Sequence, residues 1–289
     1  MGILVRYYLY VPHLNINRMK IDLKDTTFII PVRIDSIVRM ENLMMCVNNI
    51  IKNFHTNIEI LEAASYKNGI LSKCIRGNGI IYTFLEDKDP VFYKTRYLNI
   101  LIRKVKTPVI GIWDADIIID KGQITKSIER LRNEKFDVVY PYNGDFMDTS
   151  DVIRELYWKH QDIRILKHYR SMMKSLYSIE GQIGSVGGAI FVKTDKYISS
   201  GGENERFYGW GMEDGERHQR WLRLGYKMYR EDGCLFHLSH PRDMNGNFRS
   251  PQHKEHAICD MNETSNMTRN GLEHYIRSRH FVKQQTMSE

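Results

Sequence analysis

Short apolar, β-branched runs alternate with segments of helical spacing along the first half of the chain, and few folds accommodate that alternation. TTFIIPV (26–32) is an apolar run stopped by Pro31 and reads as a buried strand. Residues 36–53 then carry apolar side chains at 37, 40, 43, 44, 47, 50 and 51, a helical spacing with Ser36 as N-cap. NIEILEA (57–63), GIIYTFLE (79–86), TPVIGIWD (107–114) and FDVVYPY (136–142) read as further strands, and 91–105 and 121–134 as helices. Strands separated by helices imply βαβ units. The expected fold class is therefore α/β: one Rossmann-like domain whose central, mostly parallel sheet is flanked by helices. Such sheets bind ligands beyond the carboxyl ends of their strands. Chemistry is expected just after Val32, around Asp114 and in later loops.

The second half is less regular. Residues 151–178 read as one or two helices rich in basic and aromatic residues, GSVGGAIFV (184–192) as a strand led by glycines, and 213–225 as a helix. Residues 1–25 form an N-terminal extension, a strand or a loose arm; 26–250 form the domain; from 251 to 289 the chain turns polar and QQTMSE frays. With 42% hydrophobic and 27% charged residues the composition is globular rather than disordered. The net charge of +7 suits an anionic partner, a nucleotide or a phospholipid surface. The lysines and arginines are scattered without a nucleic-acid-binding signature, so no nucleic-acid partner is expected. Cys46, Cys74, Cys234 and Cys259 make no CxxC pair and read as buried thiols of a reducing compartment. No apolar stretch reaches the ~18 residues of a membrane span, and the opening residues lack a signal-peptide layout. The expectation is a cytoplasmic protein, with peripheral contact to a membrane through its basic surface.

Four stretches could carry chemistry. In IGIWDADIIID, Asp114 and Asp116 stand two apart at the end of an apolar strand. Two such carboxylates repel unless a cation lies beside them, and oxygen ligands suit Mg2+ or Mn2+, which in turn hold diphosphates. The plainer alternative is a solvated strand-end turn. In CLFHLSHPRD, His237 and His240 are three apart. Imidazole added to carboxylate favours Mn2+ over Mg2+; the plainer alternative is one core and one surface histidine. In PVRID, Arg33 follows the first strand, where an arginine can grip a base or diphosphate, or simply be solvated. In FYGWGMEDGE (207–216), a loop carboxylate can deprotonate an attacking hydroxyl, Trp210 offers a flat apolar platform, and the glycines let backbone approach a ligand. Acids complementing a helix N-terminus would explain Glu213, Asp214 and Glu216 but not Gly-Trp-Gly.

Taken together, these stretches resemble an inverting glycosyltransferase of the GT-A type, close to the β-1,4-galactosyltransferase and bacterial capsule-synthesis branches. The resemblance covers roughly residues 26–243. FIIPVRID looks like the family's first strand and nucleotide-binding loop, taking in Pro31, Arg33 and Asp35; FYKTRYLN (92–99) looks like its FNRAKLLN stretch, with Lys94 for the usual arginine. IWDADIII matches the DxD strand, GGAIFVKTDKYISSGGENERFYGWGMEDGE the long GG…WGWGGEDDD segment, and FHLSH the metal-histidine region. By this resemblance a nucleotide-binding half runs to about residue 142, and an acceptor-binding half covers about 143–250.

The resemblance implies Mn2+ (or Mg2+) as cofactor, a UDP-sugar donor and a glycan or lipid-linked saccharide acceptor. Asp116 and His240 would ligate the metal; His237 falls where those enzymes often carry a methionine ligand. Asp114 would lie near the ribose or the metal's water, and Lys94, Gly187 and Gly188 near the donor. Asp214 aligns with the catalytic base and Glu213 with an acid that contacts a substrate sugar. Trp210, with Tyr208 and Gly211, would line the acceptor site. Tyr208 stands where the galactosyltransferases carry tryptophan, and Gly215 replaces an acid. Ser185 stands where many carry a tyrosine beside the donor sugar's C2 substituent, which leaves room for an N-acetyl group. The rival readings are a sugar nucleotidyltransferase, although PVRIDS has no glycine-rich phosphate loop, and a non-catalytic sugar-binding protein retaining the fold. The high Ile, Lys and Asn content hints at a bacterial surface-polysaccharide role.

Overall fold

A computed structural model describes residues 19–133, 135–177, 184–242 and 244–279. Its strands are β1 (Ile21–Val32), β2 (Phe54–Ala64), β3 (Ile80–Glu86), β4 (Val109–Trp113), β5 (Ile117–Ile118), β6 (Val138–Tyr140), β7 (Phe146–Asp148), β8 (Lys174–Leu176), β9 (Ala189–Lys193), β10 (Met228–Arg230) and β11 (Leu235–His237). Its helices are α1 (Ile37–Asn53), α2 (Leu71–Cys74), α3 (Lys94–Ile102), α4 (Lys121–Arg132), α5 (Asp151–His160), α6 (Ile163–His168), α7 (Thr194–Ser199), α8 (Glu213–Arg223), α9 (Pro251–Asn266) and α10 (Arg269–Ser278).

Seven strands form the central sheet in the order β10-β6-β9-β4-β1-β2-β3. All neighbours run parallel except β9, which is antiparallel to both β4 and β6. The inversion of β9 places its amino end beside the carboxyl end of β4: Trp113 pairs with Ala189, and the Asp114 amide donates to the Gly188 carbonyl at 2.9 Å. The glycine loop before β9 therefore meets the DxD loop after β4. A second sheet, β5-β11-β7-β8, crosses this edge and sets His237 opposite Ile117 on one side and Asp148 on the other.

Local signals account for most elements. Ser36 caps α1, accepting from the Arg39 amide, and Asp120, Ser150, Ser250 and Thr268 cap α4, α5, α9 and α10 in the same way. The sheet core packs Phe28, Trp113 and Phe191 with ring centroids 5.1–5.5 Å apart. Gly111 lies inside β4 because a Cβ there would come within 2.9 Å of the Phe191 ring.

The departures from the sequence expectation are non-local. Strand β1 starts at Ile21, so part of the expected extension joins the sheet; residues 1–18 and the terminal QQTMSE lie outside the described residues. The 151–178 stretch ends as strand β8, held by antiparallel pairing with β7 rather than by local helical preference. Within GSVGGAIFV the glycines form a loop, and only Ala189 onward is strand. Beyond residue 250, the polar sequence folds into α9 and α10, which pack on α8: Glu216 takes hydrogen bonds from Thr264 at 3.2 Å and Arg279 at 2.9 Å. The four cysteines are free thiols. Among the described residues no helix is long and apolar enough to cross a membrane.

Candidate active site

The carboxyl edge of the central sheet opens into a cavity of about 820 Å3. One wall carries a set of metal-ligating groups. Asp116, His237 and His240 each offer a ligand atom, and these atoms lie within 4.8 Å of one another. Asp116 Oδ2 is 3.1 Å from His240 Nε2 and 3.5 Å from His237 Nε2. The other ring nitrogens are taken: Nδ1 of His237 faces Asp148 Oδ1 at 2.6 Å, and Nδ1 of His240 faces the Pro241 carbonyl at 2.9 Å. An acceptor on each Nδ1 leaves Nε2 to face the Asp116 carboxylate, as an N–H when the ring is protonated and as a lone pair when a cation lies between them. Lone pairs and an anion repel unless a cation or a proton lies between them. Burial alone would lower His237, but Asp116 and Asp148 overturn that and push its imidazole up to about 9. Burial would likewise raise Asp116, yet the two histidines hold it well below the usual carboxylate range. This donor set fits a divalent ion with borderline ligand preference.

The acids of the 207–216 stretch border the same cavity. Met212, in a left-handed conformation, turns the chain into α8, so Glu213 and Asp214 occupy its first turn. Asp214 Oδ1 is gripped by Arg217 one turn on; Arg217 in turn donates to Glu203 at 2.8 Å. Lys94 Nζ lies 2.9 Å from Asp114, 3.6 Å from Glu213 and 3.8 Å from Asp214, joining the DxD loop to the acid pair. Burial would raise Asp214, but Lys94 and Arg217 outweigh it and its carboxyl stays below the ordinary value. Glu213 goes the other way: burial and the neighbouring Asp214 push it up to about 7. Gly187 packs face-on against Asp214, where any Cβ would fall inside the carboxylate.

A family model described as the N-terminal domain of galactosyltransferase matches residues 168–243, which span the glycine loop, the acid pair and both histidines. Among solved structures, the catalytic domain of Drosophila β1,4-galactosyltransferase 7 with xylobiose is similar at 12% identity, covering 82% of this chain and 79% of that one, with a TM-score of 0.50. A mutant of that enzyme with manganese, UDP-Gal and xylobiose is similar at 11% identity, with the same coverage and TM-score. Glucosyl-3-phosphoglycerate synthase from Mycobacterium tuberculosis, with Mn2+, UDP and phosphoglyceric acid, is similar at 13% identity over 84% of this chain and 78% of that one, TM-score 0.52. Among curated proteins none matches the chain.

The chain has the GT-A fold of these structures.

The residues expected at the site are mostly gathered in one place. Pro31, Arg33, Asp35, Lys94, Asp114, Asp116, Ser185, Gly187, Gly188, Trp210, Gly211, Glu213, Asp214, His237 and His240 all border the cavity. Tyr208 does not. Its hydroxyl donates to Asp89 at 2.5 Å and its ring lies under Arg249, so it braces the loop from behind rather than lining the acceptor side. Arg33 borders the cavity, but its N–H groups go to the carbonyls of Ala63, Asp89 and Pro90 at 2.8–2.9 Å, so the guanidinium shapes the wall and is not a free fork for a diphosphate. Lys94 is enclosed by carboxylates in the same sense. Trp210 packs edge-on against Phe248, a residue from the stretch before α9.

Sequence reasoning missed Asp148, Arg217, Phe248 and Met261. Asp148 ends the short strand FMD and reaches His237 only through the β7–β11 register. Arg217 follows Asp214 at the i+3 spacing of a facing pair, a signal present in EDGER. Phe248 lines the cavity from the end of the expected domain, and Met261 from the segment read as a polar extension.

Proposed function

We propose that this protein is a metal-dependent, inverting glycosyltransferase, moving a hexose or N-acetylhexosamine from a UDP-sugar to a hydroxyl of a glycan or lipid-linked saccharide. The observation that carries the reading is the placement, in one cavity, of the Asp116–His237–His240 cluster and the Glu213–Asp214 pair. A divalent ion held by Asp116, His237 and His240, Mn2+ in preference to Mg2+ given two imidazole donors, would offset charge developing on a leaving diphosphate. Asp214 accepts the proton of the acceptor hydroxyl; Arg217 and Lys94 keep it ionised and aimed, and Gly187 leaves the space in which it stands. In this inverting reading the hydroxyl attacks the face of C1 opposite the leaving group, and an α-linked donor gives a β-linked product.

The structures solved with Mn2+ and UDP or UDP-Gal support the choice of metal and donor. Ser185, a small side chain on the cavity wall, supports acceptance of an N-acetylated donor. The acceptor is read as a saccharide of bacterial surface-polysaccharide synthesis met at the cytoplasmic face of a membrane, on composition and basic charge. The experiment is to measure UDP release and product formation from a panel of UDP-sugars, with and without Mn2+. Metal-dependent transfer with an inverted product is expected. A pyrophosphate-dependent exchange would mark a nucleotidyltransferase, and sugar binding without turnover would mark a non-catalytic protein.

A further inference from the structure

The glycine loop, residues 184–188, borders the cavity along its whole length and touches both acid-bearing segments. Gly188 accepts from the Asp114 amide at 2.9 Å, and Gly187 packs against the Asp214 carboxylate. With three glycines in five residues, little of the loop's conformation is set by its own sequence. What holds it comes from elsewhere in the chain.

Strands β6 and β10 run parallel at one edge of the central sheet, and Tyr140 pairs with Arg230 at their carboxyl ends. Arg230 Nη1 donates to the Ser185 carbonyl at 2.9 Å, and Nη2 donates to the Gly184 carbonyl at 3.2 Å. The hydrogen bonds its guanidinium makes among the described residues go to this loop, while its plane stacks over the Tyr140 ring at 4.5 Å. The Tyr142 hydroxyl lies 2.8 Å from the Ser185 carbonyl and 2.7 Å from that of Gly187, sharing one proton between them. Tyr142 is fully buried, and burial pushes its phenol up, so the hydroxyl keeps its proton and remains a donor. Two donors on the Ser185 oxygen occupy both its lone pairs and fix the peptide plane that joins Ser185 to Val186. On the amide side, Ser185 donates to the Gly144 carbonyl at 3.0 Å. Gly184 lies so close to Gly144 that a Cβ there would come within 2.7 Å of its Cα.

We propose that Arg230 and Tyr142 are positioning residues for the donor sugar: by holding the Ser185 and Gly187 carbonyls, they set where the loop meets the sugar of a UDP-sugar and so which sugar is accepted. This deepens the proposed function and rests on it. Neither side chain borders the cavity, so both act through the loop. A loop released from them occupies its competent position only part of the time, and affinity for the sugar falls by that fraction. The candidate metal ligands Asp116, His237 and His240 belong to other segments and are spared.

The test is calorimetric titration of the full chain, with Mn2+ present, by UDP, UDP-galactose, UDP-glucose and UDP-N-acetylgalactosamine. Arg230→Met removes the guanidinium at similar length. Tyr142→Phe removes one oxygen from a buried ring and keeps its volume. In each variant, affinity for the UDP-sugar that the unmutated chain binds best should fall about tenfold. The spread among the three sugars should narrow, and UDP affinity should stay unchanged. Unchanged UDP-sugar affinities in both variants would overturn the proposal. So would equal losses of UDP and UDP-sugar, the mark of a merely structural role, or equal affinity of the unmutated chain for all three sugars. A chain that shows the expected binding changes but transfers no sugar would support this inference and count against the proposed reaction alone.

Discussion

Asp148 Oδ1 sits 2.6 Å from Nδ1 of His237, on the far side of the ring from Asp116. The contact orients the imidazole and raises its basicity toward a cation at Nε2. Replacing Asp148 with Asn removes the charge and keeps the shape. We expect Mn2+ affinity to fall about 10–100-fold, the range typical of outer-shell partners, measured by calorimetric titration of Mn2+ in the presence of UDP. Unchanged affinity would mean that His237 is not a ligand.

Asp214→Asn should lower kcat by roughly 100- to 10,000-fold, the span ascribed to a positioned base, with UDP and Mn2+ binding nearly unchanged. A parallel loss of UDP affinity would place Asp214 in the donor site instead.

Gly187→Ala tests the same carboxylate from the other side. A methyl group at 187 must displace Asp214 from its position between Arg217 and Lys94. The expected result is a kcat deficit approaching that of Asp214→Asn with an intact fold by circular dichroism. Wild-type turnover in Gly187→Ala would show that the base tolerates displacement and is not held for catalysis.

Glu213 makes stability depend on pH in a defined direction. Its carboxyl is pushed up to about 7 in the folded chain, against about 4.5 ordinarily, by burial and by Asp214. Between these values the folded state binds more protons than the unfolded state, so stability falls as pH rises through the window. Glu213→Gln removes this loss. Its melting temperature relative to wild type should be higher at pH 8 than at pH 4.5, each kcal/mol appearing as about 2–4 °C for a chain of this size class. A difference that is flat with pH would show that Glu213 is ionised at no unusual cost.

Glu216 ties α9 and the end of α10 to α8 through Thr264 and Arg279, and pairs with Arg220 within α8. Glu216→Ala leaves two buried guanidinium groups without their carboxylate. The expected cost is about 3–5 kcal/mol, read from denaturant unfolding, and a protease should then cut first between residues 250 and 279. A cost below about 1 kcal/mol would mean that the C-terminal helices are held by their apolar contacts alone.

The sequence by itself determined the alternating strands and helices, because hydrophobic period and capping residues are local: Ser36, Asp120 and the run VIGIW act within a few residues of themselves. It also exposed Asp114, Asp116, Glu213, Asp214 and the two histidines, because unpaired acids at a strand end and a Gly-Trp-Gly loop are costly to keep without a task. What only the tertiary structure decided depends on contacts across long separations. The antiparallel insertion of β9 brings Gly187 against Asp214. The β7–β11 register puts Asp148 behind His237 across 89 positions of sequence. The docking of α9 turns a polar tail into a wall of the cavity. Tyr208 and Arg33, plausible ligand contacts by position, were drawn instead to Asp89 and to backbone carbonyls. No local pattern encodes such pairings, since each partner's availability is fixed only when distant segments close on one another.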